Sequence, residues 1–342
     1  MNIKILSGIY RTNEFIGKSV KEQNPNVILD LFKIDSKYWK TFGVKNTSQI
    51  DNSIIQIFLN NDYVWNTLDN SSDRGRAIDI KLINPISGKV MSGSSSGSAI
   101  NVLYGLNTIA IATDGGGSVL APAIALNLYS ILLSGIGLKG SLKRKSTDNI
   151  DFVPGIGIIA QNFEDLFNAA KLFLKDNVNS DVSKKINILL TSEINCSITN
   201  KLKDYEFNII EDKDLFFRED LILELKNIFS SYDIFIYIER DIDIDGIGDS
   251  VFGMMGEKTL SIQKKSNKKY IKVLNMLNCT ALSIPMGELG SSIVIAAREG
   301  KDGLYNILEI AKIINQEFRP KLFIDYFLDY PLKDKDNRLF KI

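Results

Sequence analysis

The 342-residue chain contains no histidine, and that absence alone excludes several kinds of chemistry. A Ser-His-Asp or Cys-His catalytic unit cannot be built, nor can an H-E-x-x-H zinc protease or any site that needs imidazole ligands. General-base work must fall to Lys, Asp, Glu, Tyr or water. Cysteine is almost as scarce. Cys196 and Cys279 stand 83 positions apart with no C-x-x-C spacing, so neither a disulfide framework nor a thiolate metal site is suggested, and they read as two buried free thiols of a reducing cytoplasm. Net charge is missing too, since 41 basic residues balance 41 acidic ones. The chain therefore carries no electrostatic footprint for nucleic acid or an anionic membrane, which favours a small molecule or a protein as partner. The apolar stretch from Met1 to Ser7 is too short for a signal sequence, and Arg11, Glu14 and Lys18 follow it. A cytoplasmic protein is expected.

What is present is ordinary globular material, 44% hydrophobic and 24% charged, in a length that fits one large α/β domain or two smaller ones. Its distribution is not ordinary. From Val90 to Leu138 the single charged residue is Asp114, so this segment must be buried. Val119 to Leu138 is long and uncharged enough to raise a membrane span as an alternative. Pro122, Asn127, Ser130, Ser134, Gly135 and Gly137 interrupt it, however, and aromatic and basic flanks are lacking. A helix and a strand inside an α/β core read equally uncharged.

Around this segment, Val27 to Phe32 reads as a strand after the Asn24-Pro25-Asn26 turn signal, and Ser53 to Asn60 as a helix start or an apolar connector. Asp69 to Arg76 reads as a polar surface loop. Asn162 to Leu174 has an Asn cap, early acids and helical apolar spacing. Later helices are expected over Leu221 to Phe229 and about Gly303 to Phe318, and strands over Ile186 to Leu190, Ile234 to Ile238, Leu282 to Pro285 and Ser292 to Ala297. Strands and helices alternate with no Pro/Gly/Ser-rich linker and no internal repeat, which argues for one α/β domain spanning 1–342, with its core over 27–175.

Two small-residue loops border the uncharged core. Ser92-Gly93-Ser94-Ser95-Ser96-Gly97-Ser98 leads into an apolar helix, and Thr113-Asp114-Gly115-Gly116-Gly117-Ser118 leaves a strand. The first could instead cradle a phosphate at a helix N-terminus, though it lacks a P-loop ending and the dinucleotide glycine pattern. Together the loops offer more, because three glycines before Ser118 would aim several backbone N–H groups at one oxygen beside a serine hydroxyl. Without histidine, such a serine needs a lysine kept neutral by burial.

The pair of loops resembles the amidase signature family, whose pattern is G-G-S-S-G-G-S-A and then, past an apolar helix and strand, G-T-D-x-G-G-S-[IV]-R-x-P-A. Here the stretches are SGSSSGSAINVLYG and IATDGGGSVLAPA, with 24 positions from Ser94 to Ser118. Asn84 to Gly88 (NPISG), Ser231 to Ile238 (SYDIFIYI) and Asn275 to Gly287 (NMLNCTALSIPMG) resemble further family segments. The resemblance implies a central mixed sheet covered on both faces by helices. It also implies amide hydrolysis through an acyl-enzyme on Ser118, with Ser94 as a serine on a cis peptide bond that relays the proton. Gly115, Gly116, Gly117 and Ser118 would form the oxyanion hole, with Ser95, Thr113 and Asp114 in support, and no cofactor or metal is implied. The base is a lysine ending an apolar strand, as in V-x-V-K-D-N. Lys33, after VILDLF, is the expected residue, with Lys18, Lys37 and Lys40 as alternatives.

Departures from the pattern are Leu120 in place of the arginine two positions after the nucleophile, Ser92 in place of the first glycine, Ile34 after the lysine, and a shorter chain. Three readings follow: a stand-alone enzyme acting on a small amide, a glutaminase-like subunit of a tRNA-dependent amidotransferase with partner subunits, or a binding subunit that does no catalysis. Each is compatible with a homo-oligomer. Asp241-Ile-Asp243-Ile-Asp245-Gly246 opens like a calcium loop, but Phe252 stands where its closing glutamate belongs.

Overall fold

The computed structural model describes residues 3–174, 186–315 and 318–332. Fifteen strands occur among these residues: β1 (Val20–Gln23), β2 (Lys40–Lys45), β3 (Tyr63–Asp69), β4 (Ile78–Ile83), β5 (Val90–Ser92), β6 (Ile109–Asp114), β7 (Tyr129–Leu132), β8 (Arg144–Lys145), β9 (Asp151–Phe152), β10 (Gly155–Ala160), β11 (Asn187–Thr191), β12 (Glu206–Ile210), β13 (Ile234–Glu239), β14 (Thr280–Pro285) and β15 (Ser292–Ala297). Eleven form one mixed sheet in the order β1-β3-β2-β6-β10-β7-β14-β15-β13-β11-β12. The other four make two small hairpins, β4 with β5 and β8 with β9.

Strands buried on both faces lose polar alternation, but their side chains still divide by parity. In β6, Ile109 and Ile111 join one core cluster while Ala110 and Ala112 join another. In β13, Ile234, Ile236 and Ile238 face the first cluster and Phe235 and Tyr237 face away. Helices Asn52–Leu59, Phe163–Lys171 and Lys301–Ile314 supply Phe58, Leu166 and Leu304 to one side. Helices Ser96–Leu103, Leu120–Ala125 and Arg218–Ser231 supply Val102, Leu120 and Leu221 to the other. A central mixed sheet with helices on both faces is the architecture the resemblance implied.

The stretch from Val119 to Leu138, weighed above as a membrane span, instead holds helix Leu120–Ala125 and strand β7, broken where Asn127 takes a φ of 50°. Among the described residues no helix is long and apolar enough to cross a membrane. One expected strand is a helix. Val27–Leu31 is helical, because the side chains that find the core are Val27 and Leu31, four apart, while Ile28 and Leu29 stay exposed. Asn162 caps its helix as expected, accepting from Asp165 N–H at 2.9 Å. Of the two cysteines, Cys279 is buried and Cys196 is exposed, so the expected pair of buried thiols is half met. In the expected surface loop, Asp69 is the buried last residue of β3, and the exposed part follows it. In the calcium-like stretch, Asp243 faces the Lys268 ammonium at 2.7 Å, a cation from the chain itself.

Candidate active site

β2 and β6 are parallel neighbours, paired Phe42 with Ile109, Gly43 with Ala110 and Val44 with Ile111. Their last residues therefore emerge at the same end of the sheet, the usual place for a site on parallel strands. Lys45 ends β2 and Asp114 ends β6. The serine loop follows β5, turns at Gly93 (φ 72°) and enters helix Ser96–Leu103. No room exists for a side chain at that turn, since a Cβ on Gly93 would stand 2.5 Å from Pro122 Cδ, just beyond Ser118. The two loops are thus packed into each other.

At their junction lies a buried lysine. Lys45 Nζ is 2.7 Å from Ser94 Oγ, 2.9 Å from Thr113 Oγ1 and 3.2 Å from Ser95 Oγ, with Thr113 O at 3.4 Å. Burial pushes its pKa from 10.5 down to about 7; the Asp114 carboxylate opposes the shift and the Arg144 guanidinium adds to it. Ser94 N–H in turn donates to Ser118 Oγ at 3.4 Å. Lys45, Ser94 and Ser118 form one continuous buried constellation.

Lys33 is not part of it. Its side chain is 72% exposed and paired with Asp30 at 2.7 Å, on the solvent side of the short helix Val27–Leu31. The missed residue had a signal. Phe42-Gly43-Val44-Lys45-Asn46 ends an apolar strand and fits V-x-V-K-D-N more closely than the segment before Lys33. No described peptide bond is cis, so Ser94 follows Gly93 in trans and the left-handed glycine makes the turn.

The glycine loop also differs from expectation. Asp114, buried and with its pKa raised by burial, accepts Gly117 N–H and Val119 N–H, each at 2.7 Å, and Ser118 N–H as well. Two of the four expected oxyanion donors are thereby turned inward to hold the loop. Gly115 and Gly116 remain, and among the described residues no acceptor takes either N–H. Both line, with Ser94 and Ser118, a cavity of about 670 Å³. The loop is held from behind by Asn275, whose Nδ2 donates to Gly115 O at 3.4 Å and to Val153 O at 3.0 Å. Beneath it, a Cβ on Gly116 or Gly117 would stand 3.2 Å from the carbonyl oxygens of Lys272 or Ile271. Among the described residues no group of three His, Cys, Asp or Glu could hold a metal ion.

Residues 82–209, which carry both serines, match the family model described as Amidase. The fold is similar to several solved structures. One is a 6-aminohexanoate cyclic dimer hydrolase complexed with substrate, 11% identical, covering 93% of this chain and 94% of that one with a TM-score of 0.62. An allophanate hydrolase of Kluyveromyces lactis is 12% identical over 95% of this chain and 72% of that one, TM-score 0.64. A glutamyl-tRNA(Gln) amidotransferase subunit of Thermotoga maritima is 14% identical over 92% and 91%, TM-score 0.59. Sequence comparison with curated proteins finds no match.

Proposed function

We propose that this chain, whose residues 82–209 match the Amidase family model, is an amide hydrolase with Ser118 as nucleophile and Lys45 as base. The observation that supports it most is the buried Lys45 amine, 2.7 Å from Ser94 Oγ and with its pKa depressed to about 7. Such an amine is substantially neutral at neutral pH, the form that accepts a proton.

In the first step Lys45 takes the Ser94 hydroxyl proton as Ser94 takes that of Ser118. The Ser118 oxygen bonds to the amide carbon, and the carbonyl π pair moves onto oxygen. Gly115 and Gly116 N–H groups receive that oxyanion, interactions typically worth about 2.7–4 kcal/mol per donor. Collapse breaks the C–N bond, and the proton held on Lys45 returns through Ser94 to the leaving nitrogen. Water then attacks the ester with the same base, releasing acid and free Ser118. Asp114 contributes by fixing the loop and by its charge near Lys45.

Mass spectrometry after exposure to a small fluorophosphonate tests this reading. Labelling is expected on Ser118, absent in Ser118→Ala and slowed at least about 100-fold in Lys45→Met, the scale of general-base catalysis. A folded native protein that stays unlabelled, and is inert to sulfonyl fluorides too, overturns it. The similarity to the Thermotoga maritima amidotransferase protein supports a narrower form, glutamine hydrolysis for a partner, which co-purification with other subunits would reveal.

A further inference from the structure

The cavity beside Ser118 is strongly one-signed in a protein whose total formal charge is zero. Its two acidic lining residues are already engaged: Asp249 by Arg76, and Asp73 by Lys81 at 2.9 Å. Arg74, Arg144 and Lys145 also line it, and among the described residues none of the three has an acidic partner.

Apart from Lys45, Arg218 is the most deeply placed cation that lines the cavity. It opens the 14-residue helix Arg218–Ser231, and its side chain is 13% exposed. Among the described residues, every hydrogen bond of its guanidinium leaves through Nη1, to Asp148 at 2.6 Å and Thr147 Oγ1 at 3.4 Å. Nε is buried without an acceptor among the described residues, and Nη2 lies 3.9 Å from where a Cβ on Gly116 would stand. A purely structural tether to Asp148 uses one corner of the fork. It leaves the Nε/Nη2 edge, the edge that pairs side-on with a carboxylate, unspent beside the loop proposed to hold the oxyanion.

Building on the hydrolase reading, we propose that the substrate is a short monoamide of a dicarboxylic acid, and that Arg218 binds its free carboxylate while Ser118 attacks the amide end. The position of Arg218 against Gly116 sets the length, since a carboxylate held there lies only a few bonds from a carbonyl over Gly115 and Gly116. Arg74, Arg144 and Lys145 draw the anion into the cavity and hold no fixed acid that would compete for it.

The test compares glutaramate with pentanamide, an anionic and a neutral amide of the same chain length, on the native protein and on Arg218→Gln. The native enzyme is expected to favour glutaramate in kcat/KM by about tenfold or more, and Arg218→Gln to lower that ratio by about tenfold or more. A native preference for pentanamide, or a ratio that a folded Arg218→Gln leaves unchanged, overturns the proposal. Calorimetry with glutarate on the native protein and on Arg218→Gln gives a readout independent of turnover and of the serine. Glutarate bound by the native protein and lost in the variant, without hydrolysis of either amide or labelling of Ser118, supports the anion site and overturns the hydrolase reading alone. Labelling of Ser118 with neither glutarate binding nor a preference for the anionic amide overturns this proposal alone. Absence of labelling, turnover and glutarate binding together overturns both.

Discussion

A lysine buried among hydroxyls would tie the proposed catalysis to pH in a definite direction. The proposed base works only as the free amine, so kcat/KM for an amide should rise with pH through an inflection near 7 and then level off. Burial is the main cause, and the Arg144 charge pushes the same way. Arg144→Gln removes that push, favours the protonated amine and should move the inflection to higher pH, which a pH-rate profile on a neutral amide would read. A profile with no rising limb would count against Lys45 as base. The same shift bears on stability. The unfolded lysine holds its proton up to about 10.5 and the folded one only to about 7, so the unfolded chain binds more protons between these values. This group's contribution therefore makes the fold more stable as pH rises across that window and less stable as pH falls. Lys33→Ala, at an exposed ion pair with Asp30, should leave the profile unchanged and alter stability by less than about 0.5 kcal/mol. The two serines were legible because small-residue loops at fixed separation are rare. The lysine was misassigned although Phe42 to Asn46 fits the family pattern, because so short a match recurs along the chain, and what singles out Lys45 is the pairing of its strand with β6, which no local pattern carries.

Among elements, the helix Ser96–Leu103 controls where Ser94 and Ser95 sit. Its Ser96 Oγ donates to Asp79 at 2.7 Å and its Ser98 Oγ to Asp69 at 2.8 Å, so its first turn is anchored to two strands. Gly97 lies between these serines, and a Cβ there would overlap Asn70 O and stand 2.6 Å from Ser19 O. Backbone oxygens cannot swing aside as a side chain would, so the helix itself must move. Gly97→Ala should cost about 1–3 kcal/mol, seen as a lower urea midpoint with an unchanged slope, and should slow labelling of Ser118. An unshifted midpoint would show that the helix start is more yielding than this packing implies. Capped, periodic helices such as Phe163–Lys171 were legible from sequence. Val27 to Phe32 was misread because its six apolar-rich residues fit a strand and a short helix alike until one knows which of them meet the core.

At the scale of the whole molecule, the cavity is closed by residues far apart in the chain. Arg76 and Asp249, 173 positions apart, form an ion pair that joins the loop after β3 to the turn before helix Ser250–Gly253, which Asp249 also caps. Asp249 is almost fully buried, so Arg76→Ala leaves a carboxylate without its counter-charge and should cost about 1–3 kcal/mol. A double-mutant cycle with Asp249→Asn should recover much of that loss, and full additivity of the two losses would show that the pair is uncoupled. The mixed sheet was expected from the family resemblance, whereas this closure depends on long-range packing that no local pattern carries. The sheet order has a further consequence, for biosynthesis. β7 is hydrogen-bonded to β10 on one side and to β14 on the other, and the buried Ser130–Ser283 contact joins residues 153 positions apart. At about 5–20 residues per second of translation, the free edge of β7 waits roughly 8–30 s for its partner. Lys45, Ser94 and Ser118 have all left the ribosome by then, yet the sheet that fixes them still ends in an apolar, unpaired strand. An unpaired apolar edge of that kind is open to wrong pairing in the nascent chain and is closed in the finished protein.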